Sequence, residues 1–247
     1  MRIAERHSSD SVIAFRGQDW YLVRPQMCEQ RTIIIGDVHG CVQELAALLR
    51  EVAVDPARDR VLFIGDLINK GPSSKGVWEL FRSVNGTSII GNHELSMLKI
   101  LDGQANKHEK YMDDLRRDFG SDLDAFVENV RHWPLWIEEP GLMLVHAGLV
   151  PGLHPSQTDP WTLVTIRTWD GIGADLFNDN HPPWYDFHNE QSLVVFGHWA
   201  ALGGLNREWV IGLDTGCVYG GMLSCLILPE RRFVRVNARA VYCPVRR

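Results

Sequence analysis

The chain has 247 residues, enough for one large domain or two small ones. With 45% hydrophobic and 23% charged residues it is neither disordered nor collagen-like, and no run of 18 apolar residues predicts a membrane span. The net charge of −6 conceals a basic end: residues 231–247 hold Arg231, Arg232, Arg235, Arg239, Arg246, Arg247 and no acid, so the rest is twice as acidic as the whole and disfavours binding to DNA.

Residues 1–31 read as an N-terminal extension without the apolar core of a secretory signal. Arg2, Arg6 and Arg16 with Ser8, Ser9 and Ser11 have the flavour of an organellar transit segment, which Glu5 and Asp10 oppose. Residues 12–23 predict a hairpin turning near Gly17–Asp19. Thr32–Ile35 predicts a buried strand that breaks into Gly36-Asp37-Val38-His39-Gly40. Val42, Leu45, Ala46, Leu49 and Val52 follow at helical spacing. Val61–Ile64 predicts a second buried strand, ending in Gly65-Asp66. After the Gly71-Pro72-Ser73 breaker, Val77, Trp78, Leu80 and Phe81 predict another helix. Ser88–Ile90 runs into Gly91-Asn92-His93-Glu94. Ser121 and Asp124 read as a capping box for a helix burying Phe126, Val127 and Val130. Leu142–Val145 ends in His146-Ala147-Gly148, Leu193–Phe196 in Gly197-His198, and Val210–Leu213 in Asp214-Thr215-Gly216. Met222–Leu228 and Phe233–Val236 close the series, and with little helix between them the C-terminal strands are expected to be antiparallel. The whole reads as a single α/β domain over residues 1–247 with a sheet of mixed direction.

Two segments stand apart. Residues 151–190 hold five of the twelve prolines together with Trp161, Trp169, Trp184, Tyr185 and Phe187. A long irregular segment between two His motifs is expected to serve substrate recognition or to cover the sheet. The basic stretch 231–247 is expected to be a solvated strand and a loose end, the alternative being attraction to an anionic polymer. The five cysteines (Cys28, Cys41, Cys217, Cys225, Cys243) form no CxxC pair, so neither a disulfide framework nor a thiolate zinc site is expected. A reducing, cytoplasmic compartment is the expectation, with organellar import left open.

In α/β sheets ligands bind outside the carboxyl ends of strands. Here those ends supply Asp37, His39, Asp66, Asn92, His146 and His198. Carboxylate, carboxamide and imidazole together suit manganese, iron or zinc. Six such groups exceed what a single four-coordinate zinc requires. Two metals sharing one bridging Asp use them economically, and paired metals suit in-line displacement at phosphorus.

At these residues the chain resembles the calcineurin-like metallophosphoesterases, in the order and approximate spacing of the phosphoprotein phosphatase branch. The resemblance spans about residues 32–228. It implies a four-layer α/β/β/α sandwich around two divalent ions, with manganese favoured and iron, zinc, cobalt or magnesium as alternatives. It implies that Asp37 and His39 bind the first metal, that Asp66 bridges, and that Asn92, His146 and His198 bind the second. His93 is implied as the catalytic histidine.

One departure narrows the reading. The phosphoprotein phosphatases carry Gly-Asp-x-x-Asp-Arg-Gly where this chain has Gly65-Asp66-Leu67-Ile68-Asn69-Lys70-Gly71. Loss of the Asp, here Asn69, resembles the symmetrical diadenosine tetraphosphate hydrolases and the ApaH-like phosphatases, and the Asn69-Lys70-Gly71-Pro72 version resembles the latter group. So do Phe196-Gly197-His198-Trp199-Ala200 and Leu213-Asp214-Thr215-Gly216-Cys217-Val218-Tyr219-Gly220-Gly221. A serine alkoxide leaving group needs a proton, and a general acid contributes about 10²–10⁴-fold. A phosphate leaving group ionises near pH 6 and departs with little protonation. Asn69, which can hydrogen-bond His93 but brings no charge, therefore costs less when the substrate is an anhydride.

Lys70 is a candidate to hold phosphate oxygens, and the resemblance, which places a phosphate-binding Arg between the His146 and His198 motifs, implies Arg167 as another. Trp169, Trp184, Trp199 or Tyr219 could stack on a base. Asp214 is expected to orient a ligand histidine. His7, His108, His132, His154, His181 and His188 lie outside any motif and are expected to be solvated or packing residues. The expected reaction is metal-assisted hydrolysis of a phosphoric anhydride in a nucleotide substrate, either a dinucleoside polyphosphate or an mRNA 5′ cap. The rivals are inorganic polyphosphate hydrolysis, a Ser/Thr phosphoprotein phosphatase, and a binding module that keeps the fold without catalysis.

Overall fold

The computed structural model describes residues 12–16, 19–23, 30–105, 109–189 and 192–244. Strands β1 (Val12–Arg16) and β2 (Asp19–Val23) pair antiparallel, as the hairpin pattern predicts; the turn between them lies outside the described residues, as do His7, Cys28, His108, Arg246 and Arg247.

Two five-stranded sheets follow. The first has the order β12-β11-β3-β4-β5, from β3 (Thr32–Ile35), β4 (Arg60–Phe63), β5 (Thr87–Ser88), β11 (Met222–Leu228) and β12 (Arg232–Asn237). The second has the order β6-β7-β8-β10-β9, from β6 (Trp136–Glu139), β7 (Leu142–Val145), β8 (Leu193–Phe196), β9 (Leu205–Asn206) and β10 (Val210–Gly212).

Alternation along each strand builds the layers. Side chains on a strand point to opposite faces in turn. Ile34 and Leu62 from the first sheet meet Leu144, Val195 and Ile211 from the second in a shared core. Their neighbours Ile33, Ile35, Val61 and Phe63 face the other way, onto helices α1 (Val42–Val52) and α2 (Ser74–Ser83). Helices α3 (Asn92–Leu101), α4 (Glu109–Phe119) and α5 (Leu123–Arg131) complete that outer layer. On the far side Met143, Val145, Val194 and Phe196 pack under Leu163 of the short α6 (Pro160–Leu163) and under Ile166, Trp184 and Tyr185. Both faces of each sheet are covered, so the strands read as continuous apolar runs. This is the expected α/β/β/α order, although its fourth layer is mostly the irregular segment 151–190.

Several details differ from the sequence pattern. β8 is parallel to both β7 and β10, so only β9, β11 and β12 supply the antiparallel pairing expected of the C-terminal third. The capping box at Ser121 does not form. α4 passes through a tight turn at Gly120–Asp122 straight into α5, so the helix start is never free to be capped by a side chain. α4 is not among the elements expected from the sequence, although its apolar Tyr111, Met112, Leu115 and Phe119 fall at helical spacing within a mainly charged segment. The basic end is not loose through Pro244: Tyr242 and Cys243 both donate backbone N–H groups to Val218 O, and the Tyr242 hydroxyl donates to Glu44 Oε1 at 2.8 Å. Arg232 and Arg235 do lie exposed on the edge strand β12. The described cysteines Cys41, Cys217, Cys225 and Cys243 are free thiols. Cys41, Cys217 and Glu44 nonetheless converge within 4.8 Å, a grouping that linear spacing could not reveal. No helix among the described residues is long and apolar enough to cross a membrane.

Candidate active site

The carboxyl ends of β3 and β4 in one sheet, and of β7 and β8 in the other, deliver their side chains to one centre. Asp37 follows β3 and is buried, and its two oxygens accept the His198 N–H at 3.2 and 3.1 Å, which ties the two sheets together. A Cβ at Gly197 would collide with this carboxylate, so the glycine is required for close approach. His39 turns Nδ1 to Ile68 O at 3.1 Å and places Nε2 3.4 Å from Asp66 Oδ2. His146 donates from Nδ1 to Ile64 O at 2.6 Å and places Nε2 3.6 Å from Asp66 Oδ1. Asn92 opens α3 and sets Oδ1 between two imidazoles, 3.1 Å from His146 Nε2 and 3.0 Å from His198 Nδ1.

Burial decides the charge states. It pushes the histidines 39, 93, 146 and 198 below their ordinary pKa, so they are held neutral. Burial also raises the acids: Asp66 and Asp214 to about 6, Glu94 to about 7, and Asp37 well above the carboxylate range. His146 spends its hydrogen on Ile64 O, so its Nε2 is a bare lone pair, yet it faces the oxygen acceptors of Asn92 and Asp66. Acceptors gathered around a shared space with no hydrogen between them call for a cation. Two such groups, Asp37–Asp66–His146 and His39–Asp66–His93, each have ligand atoms within 4.8 Å of one another, and Asp66 belongs to both. The donor set therefore fits divalent ions.

The backbone is strained here as well. His39, Asp66, Asn69, Lys70 and His198 all have φ between 47° and 71°, the left-handed region that non-glycine residues avoid. Each costs on the order of 1–3 kcal/mol and survives only where surrounding contacts impose it. Glu94 supplies such contacts. It is fully buried and accepts the N–H groups of Asp66, Leu67 and Gly91 at 2.9–3.0 Å.

Around the centre, Asn69 Nδ2 lies 3.2 Å from His93 Nδ1, and the His93 ring stands edge-on to His39. Burial works against the Lys70 charge, but Asp66 and Tyr219 outweigh it and raise its pKa. Its ammonium is 3.1 Å from His39 Nε2 and 5.3 Å above the Tyr219 ring. A cleft of about 830 Å³ opens over the site, lined by Lys70, Arg167, Thr215, Tyr219 and Pro244 among others. A second groove of about 570 Å³ runs from Lys70 past Pro72 to Lys110 and Arg117.

The structure thus brings together all six residues expected to hold metal, along with His93, Asn69, Lys70, Arg167 and Tyr219. Of the four stacking candidates only Tyr219 lines the cleft. Trp184 is buried and its indole N–H is committed to Ala147 O, while Trp169 and Trp199 pack on the second sheet's outer core. Asp214 does line the cleft, but among the described residues its hydrogen bond is to the Gly216 N–H rather than to a histidine. His132, His154, His181 and His188 bond to nearby loops, a helix and strand β6, away from the site. Sequence reading gave no role to Glu94, Tyr111, Cys243 or Pro244. Only Glu94 carried a usable signal, as the third residue of a helix opened by Gly91.

Buried acids and neutral imidazoles gathered at strand ends, with cations at the mouth, define a metal-dependent phosphohydrolase. The model of the calcineurin-like phosphoesterases matches residues 30–208, and the chain belongs to that family. Among curated relatives, the symmetrical bis(5′-nucleosyl)-tetraphosphatase of Methylobacillus flagellatus is 31% identical over 83% of this chain and 94% of its own. That of Dechloromonas aromatica is 29% identical over 83% and 95%. A crystal structure of a candidate diadenosine tetraphosphatase superposes with a TM-score of 0.74 at 31% identity, covering 86% of this chain and 95% of that one. Membership of the family implies divalent metal ions.

Proposed function

We propose that this enzyme hydrolyses the phosphoric anhydride chain of dinucleoside polyphosphates, with diadenosine tetraphosphate as the preferred substrate and symmetrical cleavage into two molecules of ADP. The observation that carries the reading is Asn69 beside His93, a neutral partner where a phosphomonoesterase needs a charged one. The relatives named above support the substrate class. They lend none to capped RNA, polyphosphate or phosphoprotein.

In this reading Asp37 and His39 hold one divalent ion, Asn92, His146 and His198 hold another, and Asp66 serves both. Manganese is the preferred metal. The ions supply Lewis acidity and a nucleophile at neutral pH. Hydrogen bonds from His39 and His146 to backbone oxygens fix which ring nitrogen faces the centre. Lys70 and Arg167 hold phosphate oxygens as charge develops. His93 stabilises the leaving oxygen. Tyr219 and the segment 151–190, through Arg167, border the nucleoside. The two clefts meeting at Lys70 leave room for a nucleoside at each end of the phosphate chain. The compartment we favour is the cytoplasm.

The test is incubation of manganese-loaded protein with diadenosine tetraphosphate and resolution of the products by ion exchange. Two ADP are expected. ATP plus AMP would overturn the symmetrical register. Absence of cleavage in protein that hydrolyses an aryl phosphate would overturn the substrate.

A further inference from the structure

A second group of ligand atoms lies outside the centre described above. Cys41, Glu44 and Cys217 offer two sulfurs and a carboxylate oxygen, and the three atoms lie within 4.8 Å of one another. All three residues are buried. The two cysteines come from near opposite ends of the chain, which is why linear spacing predicts no thiolate site.

Helix α1 does not account for its own share of the group. Cys41 stands at the N-cap, where a side-chain oxygen usually accepts a backbone N–H. Its thiol makes no capping bond and points to His39 O at 3.9 Å, a weak contact. Glu44 is three residues on, where a carboxylate commonly reaches back to the N-cap N–H. That N–H is bonded to Val38 O instead. Glu44 turns to the C-terminal segment, and its Oε1 accepts the Arg239 N–H and the Tyr242 hydroxyl, both at 2.8 Å. Its Oε2 is buried and, among the described residues, has no hydrogen-bond partner. A buried oxygen left in this way is destabilising, and a bound ion is one of the few things that satisfies it.

The donor atoms select the ion. Thiolates favour zinc over manganese or magnesium, and a carboxylate oxygen is also an ordinary zinc ligand. A bound ion deprotonates a coordinating thiol outright, so burial of the thiols is no obstacle.

We propose that Cys41, Glu44 and Cys217 bind a zinc ion, separate from the ions at the strand ends. A water or the second carboxylate oxygen completes four-coordination. The role is structural. Cys41 follows the turn that carries His39, and Cys217 follows Asp214, Thr215 and Gly216 at the cleft wall. Glu44 holds the segment that brings Cys243 and Pro244 to the same wall. The ion therefore pins three segments that border the cleft, whichever substrate is cut there.

The test strips the full-length protein of metal under reducing conditions and titrates it with cobalt(II). None of the six ligands expected at the strand ends is a cysteine, so cobalt bound there gives no sulfur-to-metal charge-transfer band in the near ultraviolet. Cobalt on Cys41 and Cys217 gives one. The parent should develop the band, saturating at about one cobalt per chain, and added zinc should bleach it by displacement. The double variant Cys41→Ser, Cys217→Ser should lose the band, and Cys243→Ser should keep it. A parent without the band would overturn the proposal, as would a band that survives the double variant or disappears with Cys243. The parent's spectrum decides even where the double variant fails to fold.

Discussion

Glu94 holds the backbone N–H of Asp66 at 2.9 Å from inside the protein, on the side away from the cleft. The carboxylate that both candidate metal groups share is therefore not positioned by its own strand alone. It is hung from a helix, through a second buried acid that never reaches the cleft. Because Asp66 sits at φ 51°, that support holds a backbone conformation the chain would otherwise leave.

Glu94→Gln keeps the shape but replaces one of the two accepting oxygens by an NH₂ group, which cannot accept. At least one of the three N–H groups then loses its partner, at a cost of about 1–3 kcal/mol. Metal affinity should fall about 10- to 100-fold, as for other partners behind a ligand. Calorimetric titration of the metal-free protein with manganese measures it. Unchanged affinity would show that Asp66 holds its place without Glu94.

Asn69→Asp supplies a carboxylate that accepts from His93 Nδ1–H and favours the charged ring. Phenyl phosphate, with a poor leaving group, should gain at least about tenfold relative to p-nitrophenyl phosphate, a part of the about 10²–10⁴-fold that a general acid contributes. Hydrolysis of the tetraphosphate should gain little. Equal changes on both aryl esters would mean that His93 does not act at the leaving oxygen.

Metal stabilisation should grow with pH. Without metal, Asp66 holds its proton to about pH 6 and Glu94 to about pH 7 because burial penalises their charged forms. Their raised values mean that the stability they contribute is full below the ordinary carboxylate range and is lost as pH rises through 6–7. The buried histidines run the other way: their pKa values are depressed, so their share is complete above about 6.5. Divalent ions need the ionised carboxylates and compete with those protons. The rise in melting temperature on adding manganese should be small at about pH 5.5 and large at about pH 8, as read by differential scanning fluorimetry. A rise that is constant across this range would remove the buried acids from the metal's binding equilibrium.

Gly148→Ala tests the packing behind His146. A Cβ there would collide with the Trp184 indole, which is itself fixed by its bond to Ala147 O. Overpacking of this kind costs about 1–3 kcal/mol, or roughly 2–12 °C in melting temperature at this chain length. Thermal unfolding by circular dichroism measures it, and an unchanged midpoint would show that the indole can move aside.

The candidate centre was legible because its residues sit where strands stop. Asp37, Asp66, His146 and His198 each end or closely follow a short apolar run, and a strand end is a local property of sequence. Arg167 was marked only through the family resemblance, by its interval between two His motifs, and the structure does bring it to the cleft. The supports were not legible. Tyr111 arrives from a mainly charged helix, and its contact with the His93 backbone oxygen depends on how α4 packs beside α2. Trp184 looked like a stacking surface because an aromatic in an irregular segment carries no mark of burial. Pro244 reaches the cleft only because Tyr242 and Cys243 dock on Val218, a contact between loops with no periodicity to read.

The place of β11 carries a cost in assembly. β3 (Thr-Ile-Ile-Ile) has β4 on one side, close in the chain, and β11 on the other, nearly 190 residues later. Until residues 222–228 pair with it, the most apolar strand of the first sheet has one row of backbone groups open to any passing strand. Such distant pairing forms late and slowly. The partly built sheet is therefore the state in which this protein is most exposed to aggregation and to capture by chaperones.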